Sequence, residues 1–402
     1  MLALACAVGV AGAARAQDAA PADSVAADST GTTVAQRDIM DVLKEHVLHK
    51  EIKTEATFDR GLKWALLPSF SYNEVYGLAL GASLSGAGQR STGTERYSNV
   101  SLSGNYSTTG QLQLQTRGDV FSSGGNYLLK ADLRYLDTKR STWGLGPYEG
   151  DQVEYPMSFA LTRFYTTVYR RVAGPVFIGI GYHLDQFDNI EDERALAGEE
   201  TPFTAYSGGS PGKTTASGFS VNLLGDTRDN LVNATRGYYL SWNFRNFQEA
   251  WGSDDTWQEM WAEMRVYPHV PARSDNVLAF WLYAWMTFGD APYLNLPSNG
   301  WDTYGRAARG YLQGRIRGSD QVYLEAEYRF QLTDDGLFGG VAYFSLTATT
   351  EVETRAFGPS DPAGGVGLRI KFNKVSATNL IIDYGWGQQG SQNVFLGMTE
   401  TF

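Results

Sequence analysis

"QVYLEAEYRFQL" (residues 321–332) decides how the rest of the chain is read. Val322, Leu324, Ala326, Tyr328 and Phe330 share one face, and Tyr323, Glu325, Glu327, Arg329 and Gln331 share the other. Successive side chains of a strand alternate faces, so the stretch is a strand with one charge-free apolar face and one charged face. The pattern recurs. "GYYLSWNFRNF" (237–247) sets Tyr238, Leu240, Trp242 and Phe244 against Tyr239, Ser241, Asn243 and Arg245. "NVLAFWLYAWMTFG" (276–289) aligns Leu278, Phe280, Leu282, Ala284, Met286 and Phe288, and "GGVGLRIKF" (364–372) opposes Val366, Leu368, Ile370 and Phe372 to Arg369 and Lys371. From about residue 62 onward the period is two throughout.

A soluble sandwich produces the same alternation, and three features point instead to lipid. About sixteen such runs follow one another, many longer than the roughly 5–6 residues usual in soluble sheets and able to cross a bilayer at a tilt. The connections alternate in length. "AGP" (173–175), "PARSDN" (271–276) and "TDDG" (333–336) are short; residues 137–155, 188–215 and 290–319 are long. Short turns at one end and long loops at the other are the outer-membrane barrel pattern. Finally, "NVFLGMTETF" (393–402) reads as a strand with Val394, Leu396 and Met398 on one face and Phe402 last, the aromatic end expected to be read by barrel-assembly machinery. Glu400 departs from that signal, which favours an apolar residue there. In lipid every backbone N–H and C=O must be paired, which only a closed sheet achieves for strands. The expected fold is all-β: a closed transmembrane antiparallel β-barrel of about 16 strands over residues 62–402, with a short N-terminal helix.

Ahead of the barrel, "MLALACAVGVAGAARA" (1–16) has the apolar core and small-x-small end of a secretory signal peptide. Its removal takes away Cys6, the one cysteine, so no disulfide framework or cysteine metal site is expected. Residues 17–36 are small, polar and acidic, the composition of a disordered linker. Residues 37–61 carry Ile39, Leu43 and Val47 at helical spacing, which predicts a short periplasmic or plug helix. Within it, His46 and His49 read as a solvated face. A formal charge of −11 argues against nucleic acid, which needs a basic surface. Tyr and Trp of the strands are expected in interfacial girdles, a membrane-anchoring role.

Counting strands back from Phe402 puts the short turns and both ends of the barrel on the periplasmic side. Residues 290–319 become the longest outer loop, between the eleventh and twelfth strands. It holds Arg306, Arg309, Arg315 and Arg317. The strand that follows carries Glu325, Glu327 and Arg329 on its inner face, and a later one carries Asp383. An inward-folded loop therefore has carboxylates to meet, and the guanidinium fork pairs with carboxylates bidentately.

The motifs around this loop resemble a known family. "AARGYLQGRIRGSDQVYLEAEYRFQL" (307–332) is similar to the [VLI]-RG-[FY] loop and following E-x-R-F strand of the BamA/TamA surface-antigen superfamily. "GDTRDNLVNATRGYYLSWNF" (225–244), "LLPSFSYNEVYGLALGASLSG" (66–86), "GGVGLRIKF" and "LIIDYGWG" (380–387) resemble further motifs of that superfamily, in order, over nearly all of 62–402. The resemblance implies sixteen strands and an inward loop with Arg309, Gly310 and Tyr311 at its tip. Where the family places an acidic or polar partner for that arginine, this chain has Ser345, a candidate partner that can accept one hydrogen bond but cannot neutralise a guanidinium, so Glu325, Glu327 or Asp383 is expected to carry the countercharge. About 45 residues between the cleavage site and the first strand are too few for periplasmic polypeptide-transport repeats, so a barrel-only branch is expected. Pro68, which lacks a ladder donor, and Gly397 sit where first and last strands would meet, the family's proposed lateral gate.

The function implied is help with insertion or translocation of protein or lipid at the outer membrane. Its partners would be outer-membrane lipid, the assembly machinery during the chain's own insertion, and unfolded outer-membrane protein or lipid cargo. The alternative is a passive pore or structural barrel with an inward constriction loop. An enzyme is not expected, nor is any cofactor or metal. The G-x-S-x-G match at 208–212 lies in a polar loop without the strand–turn–helix setting of a nucleophile.

Overall fold

The computed structural model describes residues 26–27, 33–34, 36–46, 63–73, 77–88, 98–150, 152–206, 209, 212–268, 276–303, 305–351, 354–374 and 377–402. Residues 1–16 and Ser210 lie outside them. Of the stretch read as a disordered linker, Ala26–Ala27 and Thr33–Val34 pair antiparallel. The N-terminal helix, α1, spans Ile39–His46; the residues from 47 to 62, with Val47 and His49 among them, lie outside the described ones.

All else of regular length is one antiparallel sheet. Its strands are β1 (Lys63–Asn73), β2 (Gly77–Gly88), β3 (Ser98–Ser107), β4 (Leu112–Phe121) and β5 (Tyr127–Thr142). The longest pair follows, β6 (Tyr155–Ala173) and β7 (Val176–Asp192), then β8 (Gly212–Asp226), β9 (Gly237–Phe247), β10 (Trp257–Tyr267) and β11 (Val277–Gly289). The sheet ends with β12 (Asp320–Gln331), β13 (Phe338–Thr349), β14 (Asp361–Asn373), β15 (Thr378–Trp386) and β16 (Gln392–Met398). Each strand pairs with its chain neighbours. Among the described residues β16 meets β1 at one register pair, Leu396 opposite Tyr72, whereas β15 and β16 share a ladder from Leu380↔Met398 to Trp386↔Gln392.

Burial is inverted relative to a sandwich. Leu223, Leu240, Leu324, Phe344 and Val366 are exposed, while Glu325, Glu327, Asp383 and Arg369 are buried. A face of exposed leucine and phenylalanine around a charged interior is costly in water and favourable in lipid. The wall therefore turns its apolar side outward, and the core is the polar and aromatic filling within. Tryptophan does not follow the girdle expectation. Trp257, Trp261, Trp281 and Trp285 are buried on the inner faces of β10 and β11, whereas Trp64, Trp251 and Trp386 are exposed. The loop between β11 and β12 supplies apolar surface inside, which makes an inward indole favourable.

Pro68 pairs with Ala82 in the β1–β2 ladder, on the strand that borders the sparse seam. Gly397 opposes Ile381; a Cβ there would lie 3.1 Å from the Phe395 ring and 3.5 Å from Arg306 Nη2. At the short-turn end, α1 docks by Asp38 and Asp41. Asp38 accepts from Lys374 N (3.0 Å), Asp41 accepts from Lys374 Nζ (2.8 Å), and Arg37 N donates to Asp335 O (3.0 Å).

Candidate functional site

Residues 290–319 fold inward as a built hairpin. Asn299 N donates to Ile316 O (3.0 Å), Gly314 N to Asn299 O (3.1 Å), and Gly318 N to Pro297 O (3.1 Å). The Asp302 carboxylate accepts from Arg306 N and Ala307 N, both at 2.9 Å, and so closes the turn at the tip. Ala308 N donates to the Tyr323 hydroxyl (3.0 Å), fixing the tip against β12.

Each loop arginine has a separate task. Arg309, with its side chain 1% exposed, donates through Nη2 to Glu325 (2.6 Å) and Glu327 (2.5 Å) and through Nη1 to Asp383 (2.5 Å). The Tyr343 ring covers its guanidinium at 3.6 Å. Arg306 donates to three successive backbone carbonyls, those of Met398 (2.6 Å), Thr399 (2.8 Å) and Glu400 (2.6 Å). Arg317 donates to Tyr293 O (2.9 Å), and Arg315 lies over Trp143 and Tyr148.

All three proposed carboxylates thus meet Arg309, two from alternate positions of β12 and one from β15. Ser345 is a correction: its Oγ has no hydrogen-bond partner among the described residues. It stands opposite Glu325 in the β12–β13 ladder, and the fork is already filled by carboxylates. Its strand acts through Tyr343 instead, a contact the sequence reading missed. Gly310 permits close approach, since a Cβ would lie 2.6 Å from Trp386 O. The Tyr311 hydroxyl donates to Pro362 O (2.7 Å) and accepts from Gln388 N (3.1 Å).

The network extends beyond the loop. Arg369 bridges Asp383 (2.5 Å) and Glu400 (2.8 Å), and Arg329 Nε donates to Glu327 (2.6 Å). Low dielectric makes such a cluster demanding: each charge must be paired or its desolvation is uncompensated.

The placement of Phe402 is the larger correction. The last strand ends at Met398, Thr399 adopts φ 72°, and residues 400–402 turn inward and are buried. Phe402 packs near Trp281 (5.4 Å) and Tyr267 (6.4 Å) rather than extending the strand. The break follows from the interior: Glu400 finds Arg369 and Asn379 Nδ2 (2.6 Å) there, a placement impossible on a lipid-facing strand. Its departure from the expected apolar residue was the one sequence signal of this turn.

No protein-family profile matches the chain, and no curated protein matches it in sequence. Solved structures match in fold. BamA of Haemophilus ducreyi lacking POTRA domains 1–3 gives a TM-score of 0.55 at 12% identity, covering 84% of this chain and 70% of that one. CdiB of Escherichia coli gives 0.54 at 12% identity, over 84% and 63% of the two chains. CdiB of Acinetobacter baumannii gives 0.51 at 9%, over 84% and 65%. This chain therefore spans less than two thirds of either CdiB. The likeness is one of fold, that of bacterial outer-membrane β-barrels.

Proposed function

We propose that the chain is a closed, sixteen-stranded barrel of the surface-antigen superfamily that assists insertion or translocation of protein or lipid at the outer membrane. The seam between β16 and β1 is its working edge. The observation that carries this reading is the contrast at β16, which among the described residues has a full ladder to β15 and a single register pair, Leu396↔Tyr72, to β1. Unpaired N–H and C=O groups in a bilayer are costly and invite another strand. An arginine-pinned loop filling the interior supports a barrel working at its wall rather than through an open bore.

The test is a pair of cysteines at 72 and 396, crosslinked across the seam. Locking should block function, read as outer-membrane protein and lipid content in cells depleted of the parent and supplied with the variant. Full rescue by the crosslinked form would overturn the reading. Planar-bilayer conductance, before and after deleting 303–318, separates the passive pore: a large stable channel would favour that alternative.

A further inference from the structure

The chain's own last residues fill a groove whose contacts look like those of a peptide site. Arg306 grips backbone carbonyls, which any polypeptide offers. One side-chain pocket is anionic-selective: Glu400 meets Arg369 Nε (2.8 Å), Asn379 Nδ2 (2.6 Å) and, at 3.9 Å, Arg329. The next is aromatic. Phe402 lies beside Trp281 and Tyr267, with the Arg329 guanidinium 5.5 Å from its ring and Arg329 Nη2 donating to its carbonyl (2.8 Å). Thr401 between them is buried, yet its hydroxyl has no hydrogen-bond partner among the described residues, so this position is not read.

Two observations mark the occupant as exchangeable. The tail departs from β16 at Thr399, a non-glycine residue at φ 72°, which gives four residues a hinge beyond the last ladder pair. With the tail in place, Arg369 Nη2, Tyr267 Oη and Trp281 Nε1 are still buried without hydrogen-bond partners among the described residues, so it satisfies the groove incompletely. The groove also borders the short-turn end, where Arg329 donates to Ala234 O (3.2 Å).

We propose that this groove is a peptide-binding site, filled in cis by Thr399–Phe402, that takes an extended segment of pattern acid–any–aromatic from another polypeptide. The identity of that polypeptide as an unfolded client rests on the function proposed above; the site itself does not. Exchange in cis and trans ties client arrival to release of the tail, and through Arg306 to the loop and the seam.

The experiment compares folded barrels in detergent, intact or lacking 399–402, titrated with a fluorescent acetyl-Thr-Glu-Thr-Phe-amide. The truncated form should bind saturably. Replacing the peptide's Glu by Gln, or its Phe by Ala, should weaken binding roughly tenfold or more, and replacing its second Thr by Ala should change nothing. The intact chain should bind roughly tenfold more weakly, because its own tail leaves few molecules competent. No saturable binding to a folded truncated barrel, or equal binding of all peptides, overturns the inference. Should truncation prevent folding, Glu400→Gln in the full chain loosens the tail and must raise affinity above the parent; equal affinity overturns it. Peptide binding with no effect of depletion on membrane content would leave this site standing and the proposed function fallen, and the reverse pattern would do the opposite.

Discussion

Removing Arg309 tests the centre of the structure. Four cations, Arg306, Arg309, Arg329 and Arg369, cluster with four carboxylates, Glu325, Glu327, Asp383 and Glu400, inside the sheet; Arg309, Arg329 and Arg369 pair with the carboxylates, and Arg306 donates to the backbone carbonyls of 398–400. Arg309→Ala leaves three against four. Glu327 keeps Arg329 and Asp383 keeps Arg369, but Glu325 keeps only the Tyr323 hydroxyl. One buried charge is therefore uncompensated, a loss of about 3–5 kcal/mol. With a urea slope near the top of the usual range, about 3 kcal/mol/M, the unfolding midpoint should fall by roughly 1–2 M. The assay is the heat- or urea-induced gel-mobility shift of refolded barrels. Glu325→Gln added to Arg309→Ala should restore part of the loss, since it removes the orphaned charge. Arg309→Lys should fall between parent and alanine variant, because an ammonium cannot span three carboxylates as the fork does. An unchanged midpoint for Arg309→Ala, or no recovery in the double variant, would refute the argument from charge.

Tyr343→Phe should be neutral, because the hydroxyl has no hydrogen-bond partner among the described residues and the ring alone covers Arg309. Tyr343→Leu should cost about 1–2 kcal/mol of cation–π and packing energy in the same urea assay. Gly310→Ala places a methyl 2.6 Å from Trp386 backbone and 2.8 Å from Ala363 Cβ, so the tip must move and the Tyr311–Pro362 bond should break. Its readout is faster protease cleavage within 303–318, and parent-like protection would count against a closely packed tip. Lys374→Ala removes the cation on buried Asp41 and should weaken docking of α1 by on the order of 1–3 kcal/mol. Proteolysis would then be faster within 36–46, with the barrel's own midpoint unmoved.

The wall was legible because one rule, period two with opposite polarity on the two faces, operates along most of the strands. Glu325, Glu327 and Asp383 could be assigned to the interior before any geometry was known. Their meeting at Arg309 was also within reach, because a cationic loop and inward carboxylates have few ways to be satisfied apart. What sequence hid was everything decided by the filling. In "NVFLGMTETF" only Glu400 breaks the alternation past Met398, and it does not announce that Thr399 turns left-handed. The turn is the solution that satisfies Glu400, Phe402 and the carbonyls of 398–400 together, with partners drawn from β10, β11, β12, β14, β15 and the loop. The inward tryptophans were misplaced for the same reason. An indole on a strand reads as a lipid anchor until a loop arrives to bury it. The interior is therefore assembled by long-range pairing that only the finished sheet brings together, and its charge balance depends on loop and tail being inside at once. Displacing either leaves buried charge behind, so the two should move as a unit.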